Sequence, residues 1–246
     1  MPYKETSMAK SRWVITAEKF LNAGQVERLI AYLERERDLA FARGNNLHAI
    51  RDFFMVRAFL ETGLRCFELC ALKVSDFVGH RLVVRHGKGN KPRTVLLTRA
   101  TALMLQQWIE VKVKLGDLTS ADAPLFPSRY GGHPSTRAVR TRVKAALTGA
   151  ALPGHLSVHS LRHSYCSTLL ASGKVGLGTV RDQLGHHSIS VTNLYTHAIG
   201  NLDGVELYTD STPVAEFKQN SETKAGGRVK KSSDPVSMFL SKRNQK

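Results

Sequence analysis

Helical periodicity runs through much of this 246-residue chain and gives way to a strand-like pattern near residues 81–97. There two short β-branched runs, RLVVR and RTVLL, flank the turn HGKGNKP. Such runs either side of a Gly- and Asn-bearing turn predict a β-hairpin or small sheet. The chain therefore reads as mainly α with a small antiparallel β-sheet, an α+β fold.

Before the hairpin, one helix is expected to start after Thr16 and run through EKFLNAGQVERLIAYLERERDLAFARG, with Gly24 as a bend and Gly44 as its stop. A second helix, about 46–62, is apolar enough to be largely buried. Gly63 interrupts, and a third helix carries RCFELCALKV. After the hairpin, ATALMLQQWIEVKVKLG is helical, and residues 117–135 form a loop by composition. STRAVRTRVKAALTGA is a basic helix that LPGH breaks. SVHSLRHSYCSTLLAS forms the next helix, ended by Gly173, and a short one follows at about 178–184. Beyond residue 200 the periodicity is lost. The expected division is a lead over 1–15, a main domain over 16–200 and a basic tail over 201–246, either disordered or exchanged between protomers.

Charge narrows the partner. Thirty-six Lys and Arg against 20 Asp and Glu give a formal +16 and a pI near 10.1. The excess recurs at 81–93, 129–144 and 218–246 rather than in one arm. Such a chain seeks polyanions, with nucleic acid foremost. No apolar run approaches the roughly 20 residues of a membrane span, and the first residues lack the apolar core of a signal peptide. The expected location is the cytoplasm, in association with the nucleoid.

Other chemistries fit poorly. Three cysteines, Cys66, Cys70 and Cys166, make no disulfide framework. Cys66 and Cys70, at i and i+4, read as small buried residues on one helix face. HGKGNKPR lacks the spacing of a phosphate-binding GxxxxGK[ST] loop. His155, His159 and His163 are evenly spaced, but Pro153-Gly154 should break the helix and leave His155 off it. No Cys or acidic set completes a tetrahedral metal site there.

A tyrosine raises the sharper possibility. LGHHSISVTNLYTH, residues 184–197, places Tyr195 nine residues after His186 in a polar stretch with little mass for a core. A tyrosine nucleophile acting on a phosphodiester needs a proton acceptor, cations on the phosphate oxygens and an acid for the leaving oxygen. TGLRCFEL sets Arg65 just past Gly63, with Glu68 three residues on. VHSLRHSYC puts His159 and Arg162 at i and i+3, on one helical face. HGKGNKPR carries Lys88 on a Gly-flanked turn. Singly, each has an ordinary structural explanation.

In their order, TGLR…E, then GKG, then HxLRH, then LGH with a tyrosine nine residues on, these motifs resemble the tyrosine recombinase or phage integrase family, in its Xer-like form. The resemblance spans about residues 16–197, the family's catalytic domain, and implies that domain's fold. It implies that Tyr195 attacks the scissile phosphate, forming a 3′-phosphotyrosyl link and freeing a 5′-hydroxyl. Arg65 and Arg162 would clamp the non-bridging oxygens, and Lys88 would protonate the 5′-oxygen. His159 would accept the tyrosine proton or bind the phosphate, and His186 would donate a further hydrogen bond to it. Glu68 and His163 match supporting positions.

The implied chemistry is physically coherent. A tyrosine hydroxyl has an unperturbed pKa of about 10, and neighbouring cations favour both its phenolate and the transition-state charge. Because the covalent link conserves the phosphodiester energy, neither metal nor nucleotide cofactor is expected. Type IB topoisomerase chemistry draws on the same residue types and stays open as an alternative, as does a non-catalytic DNA-binding protein.

The implied partner is double-stranded DNA, bound by a homo-oligomer, a tetramer on two sites. Expected DNA contacts are Lys91 and Arg93 on the turn and Arg137, Arg140, Arg142 and Lys144 on the basic helix, most of them to phosphates. Family members also carry an N-terminal helical domain that closes a clamp on DNA, and the first catalytic-domain-like helix here begins near residue 16. Three expectations follow: a half clamp with weaker binding and a shallower salt slope, an accessory protein that supplies the other half, or a truncated chain.

Overall fold

In the computed structural model, residues 17–185 are described, apart from 45–46, 88–90 and 118. The fold is mainly helical, with a three-stranded antiparallel sheet at one side.

The first helix starts later than the sequence pattern indicates. Ala17–Lys19 is a lone 3-10 turn, and α1 runs Ala23–Arg43. The break comes at Asn22. Its side chain accepts from the Gln25 N–H at 2.9 Å, and the Gln25 side chain accepts from the Asn22 N–H at 2.9 Å. This reciprocal capping satisfies donors that a new helix leaves orphaned, so a fresh start competes with continuation. Gly24 thus sits in the first turn of α1 instead of bending a longer helix, and Gly44 closes the helix as expected.

The second helix, α2 (Leu47–Thr62), is the central element. It packs against α1 and, through the rest of its circumference, against later helices. Ile50, Phe53, Val56, Ala58 and Phe59 are at most 2% exposed, which explains why its sequence shows little amphipathic contrast. The third, α3 (Cys66–Ala71), is shorter than expected. Its chain leaves the helix at Leu72 and makes a 3-10 turn at Val74–Asp76.

The sheet contains the expected hairpin, β2 (Arg81–Val84) and β3 (Arg93–Leu96), with Leu82 opposite Val95 and Val84 opposite Arg93. A two-residue strand, β1 (Phe77–Val78), pairs with β2 and was too short to leave a sequence signal. Leu82, Val84 and Val95 point into the core. Then come α4 (Arg99–Lys114) and α5 (Thr136–Gly149), each capped by the side-chain oxygen of the residue before it. Between them the loop is stapled inward. Trp108 donates to the Leu125 carbonyl at 2.7 Å, and the fully buried Lys112 donates to the Pro124 carbonyl at 2.6 Å.

Two helices complete the described chain: α6 (Val158–Ala171) and α7 (Leu177–Leu184). α6 lies against α2, while α7 rests on α6 and on β3. A small satellite core of Tyr165, Cys166, Val180 and Leu184 joins the last two helices, separate from the main core. Cys66, Cys70 and Cys166 are all buried and unpaired by disulfides. His155 lies off α6, its Nε2 paired with the Glu18 carbonyl at 2.8 Å. Among the described residues no helix is long and apolar enough to cross a membrane.

Candidate active site

The site begins where α2 stops. Gly63 takes φ +60°, Leu64 dives into the core, and Arg65 emerges at the start of α3. One turn into α3, Glu68 reaches back. Its Oε2 accepts from the Arg65 backbone N–H at 2.7 Å, and its Oε1 accepts from Arg65 Nη1 at 2.9 Å. A carboxylate in the first turn also meets the positive end of the helix dipole.

The Glu68 side chain is fully buried, so one cation leaves it poorly compensated. A second arrives from the sheet. Arg93 grips the carboxylate with both terminal nitrogens, at 2.5 Å to Oε1 and 2.9 Å to Oε2. Burial pushes the Glu68 pKa up, but Arg93 and then Arg65 outweigh it and hold the group below the usual carboxylate range.

Arg162 comes from the middle of α6 and is 6% exposed. Its Nη1 donates to the Gly63 carbonyl, and its Nη2 donates to the Leu184 carbonyl at 2.7 Å. Arg65 Nη2 donates to the next carbonyl, Gly185, at 2.9 Å, and Arg93 Nε to the preceding one, Gln183, at 3.1 Å. Three consecutive carbonyls at the end of α7 thus each take a different arginine. Helix C-termini leave their last carbonyls without helical partners and carry partial negative charge, which arginines complement. The Gln183 side chain adds a bond to the Leu96 N–H at 3.0 Å, zipping α7 to β3.

His159 sits one turn before Arg162. The residue reaches solvent, but partial dehydration of the ring and the nearby guanidinium groups of Arg140, Arg162 and Arg65 lower its pKa. A neutral imidazole beside three cations is suited to accept a proton. His163, one turn further along α6, is pushed down to about 4, chiefly by burial and then by His159, Arg162 and Lys19.

The structure therefore brings Arg65, Glu68, His159 and Arg162 to one place. Lys88, His186 and Tyr195 lie outside the described residues, as does the tail over 201–246. Next to Lys88, the Gly87 N–H donates to the Lys91 carbonyl at 3.1 Å.

The expected DNA contacts divide. Lys91 and Arg137 are exposed. Lys144 is exposed too, although its amine donates to the Leu156 carbonyl at 3.3 Å. Arg142 is half-buried and pairs with Asp52, which Arg51 also holds at 2.7 Å. Arg140 is exposed but stands beside His159 and Cys66 at the edge of the site. Arg93 departs from expectation. Its side chain is 11% exposed and its guanidinium is engaged by Glu68 and the Gln183 carbonyl, so it faces inward.

Sequence reasoning missed this inward role of Arg93 and the part played by Gln183. The available signal was Glu68 itself, because a buried carboxylate beside a single arginine calls for a further cation to share its charge.

Comparison with known proteins adds an independent line. The family model described as the phage integrase family matches residues 19–200. The tyrosine recombinase XerC of Chromohalobacter salexigens is 38% identical over 172 residues, covering 70% of this chain and 54% of that protein. Among solved structures, the XerA recombinase superposes with a TM-score of 0.59 at 26% identity, over 72% of this chain and 60% of that one. The XerH site-specific recombinase bound to a palindromic difH substrate gives 0.58 at 26% identity, over 72% and 49%. The chain spans about half the length of the XerC relatives it matches.

Proposed function

The chain belongs to the phage integrase family, and from that premise we propose that it is a site-specific tyrosine recombinase that cuts and rejoins double-stranded DNA. The observation that carries this reading is the convergence of Arg65 and Arg162, drawn from two separate parts of the chain, on the end of α7, with His159 close to both guanidinium groups. In the sequence, His186 comes two residues after the end of α7 and Tyr195 nine residues later.

The proposed reaction is a transesterification. The Tyr195 hydroxyl gives its proton to His159 and its oxygen bonds to phosphorus. The bond from phosphorus to the 5′-oxygen breaks, and Lys88 protonates that oxygen. Arg65 and Arg162 stabilise charge on the non-bridging oxygens, as planar guanidinium groups do well. Arg65 directs one N–H at Glu68 and another at Gly185, which leaves part of a five-donor group for phosphate. His186 donates a further hydrogen bond, and Glu68 and His163 support the site. Attack by a different 5′-hydroxyl reverses the steps and exchanges strands.

The rest of the reading is likewise proposed. The enzyme works in the cytoplasm on the nucleoid, as a tetramer on two DNA sites. Lys91, Arg137, Arg140, Arg142 and Lys144 approach the DNA. Residues 16–200 form the catalytic domain, and 201–246 act as a basic tail that exchanges between protomers.

The test is strand exchange between two labelled DNA duplexes bearing the cognate sites. Recombinant products support the reading. Relaxation of supercoiled DNA without exchange points to topoisomerase chemistry, and binding without either points to a non-catalytic DNA-binding protein.

A further inference from the structure

We propose that Arg93 is a positioning residue for strand cleavage, holding Arg65 in register with the end of α7 by gripping Glu68 with one side of its guanidinium and the Gln183 carbonyl with the other. The inference rests on the recombinase reading and assigns Arg93 a role in the same site.

Geometry places Arg93 at a junction. It is the first residue of β3, yet it contacts α3 through Glu68 and α7 through Gln183. Gly185 stands against it as well. A Cβ on that glycine would come within 3.0 Å of Arg93 Cδ and 3.2 Å of Nε, and φ there is +62°. A side chain at position 185 would thus crowd Arg93 by a few tenths of an ångström on a backbone that already disfavours it.

Charge explains why a second arginine is needed. Glu68 and the inner part of Arg93 are shielded from water, so their attraction is little screened. With Arg93 present, Glu68 divides its single charge between two guanidinium groups, and the group keeps a net positive charge for phosphate. Without Arg93, the whole carboxylate charge falls on Arg65, the neighbour that must meet the phosphate. Arg65 would rotate toward Glu68 and away from the Gly185 carbonyl. Among the described residues, the charges that face Glu68 are Arg65 from the turn before α3 and Arg93 from β3, while α7 offers main-chain carbonyls and Arg162 of α6 holds the neighbouring Leu184 carbonyl.

Single-turnover cleavage of a nicked suicide duplex, across pH 5–9, tests this with Arg93→Gln and Arg93→Lys beside wild type and Tyr195→Phe. Affinity for the same DNA and thermal midpoints are measured in parallel. In Arg93→Gln, DNA affinity is expected to stay within a few-fold while cleavage falls about 100-fold, the scale of a small misplacement. Its loss relative to wild type is expected to ease toward acid pH, where a Glu68 without Arg93 takes up a proton and releases Arg65. Arg93→Lys keeps a cation, so it should restore the pH profile and part of the rate. Should Arg93→Gln fold poorly, the Arg93→Lys profile and rate decide alone. Wild-type rate and pH profile in Arg93→Gln, or equal losses of binding and cleavage in both variants, overturn the role of Arg93 while leaving the recombinase reading intact. No covalent product from wild-type protein overturns both.

Discussion

Arg162 donates from Nη1 to the carbonyl of Gly63, 99 residues earlier in the chain. That one bond ties the middle of α6 to the turn that launches Arg65. The turn depends on the absence of a side chain. Gly63 has φ +60°, and a Cβ there would meet Tyr165 Cδ1 at 2.3 Å and Leu184 Cδ2 at 2.8 Å. Left-handed backbone and overpacking against a buried ring add, so Gly63→Ala is expected to cost roughly 2–4 kcal/mol. Urea unfolding measures the loss, and a variant as stable as wild type contradicts the account of the turn.

Arg65 is expected to act on the transition state more than on DNA affinity. Arg65→Gln should lower single-turnover cleavage by about 10²–10³, as the loss of one well-aimed donor does elsewhere. Affinity for intact DNA should change by less than about tenfold, because many other phosphate contacts remain. Cleavage and filter-binding assays on one duplex separate the two effects. Equal losses in both would make Arg65 an ordinary binding residue.

The pH dependence of cleavage should follow His159. Burial, then Arg140, Arg162 and Arg65, lower its pKa, so the imidazole stays neutral and able to accept a proton below the ordinary histidine range. The acid limb of the wild-type rate profile is therefore expected below about pH 6.5. Arg140→Gln removes one of these cations and should move that limb to higher pH. An unmoved limb would show that His159 is not the acceptor.

Stability should carry a histidine signature of its own. His163 has a folded-state pKa of about 4 against an ordinary 6.5, so between those values the unfolded chain binds more protons. The stabilisation is complete above the unfolded value and is lost as pH falls toward the folded one, by roughly 3 kcal/mol at 1.36 kcal/mol per pKa unit. His163→Asn should flatten unfolding free energy against pH in that window. An equally steep curve in the variant places the acid sensitivity elsewhere.

Much of this arrangement was legible because it is local. Arg65 with Glu68, and His159 with Arg162, stand three residues apart on a helix or at its start, where spacing fixes a shared face. The hairpin showed itself by its β-branched runs and glycine turn. The start of α1 was misjudged although its signal, Asn22 with Gln25, was in view, because the helical pattern to either side masked it. The two residues of β1 were too few to carry a period. Arg93 was misread for a deeper reason. It joins Glu68 across 25 residues and Gln183 across 90, and no spacing rule spans such distances. A basic residue in a basic turn looks like a DNA contact until the burial of Glu68 shows what it compensates.

The central claim is that Tyr195 forms a covalent bond to DNA, and covalent trapping tests it most directly. Wild-type protein and Tyr195→Phe are incubated with a nicked suicide duplex carrying candidate sites and run on a denaturing gel. A slower protein–DNA band in wild type that is absent from Tyr195→Phe is the expected result. A band that persists in Tyr195→Phe, or none from wild-type protein on DNA it demonstrably holds, would contradict the account.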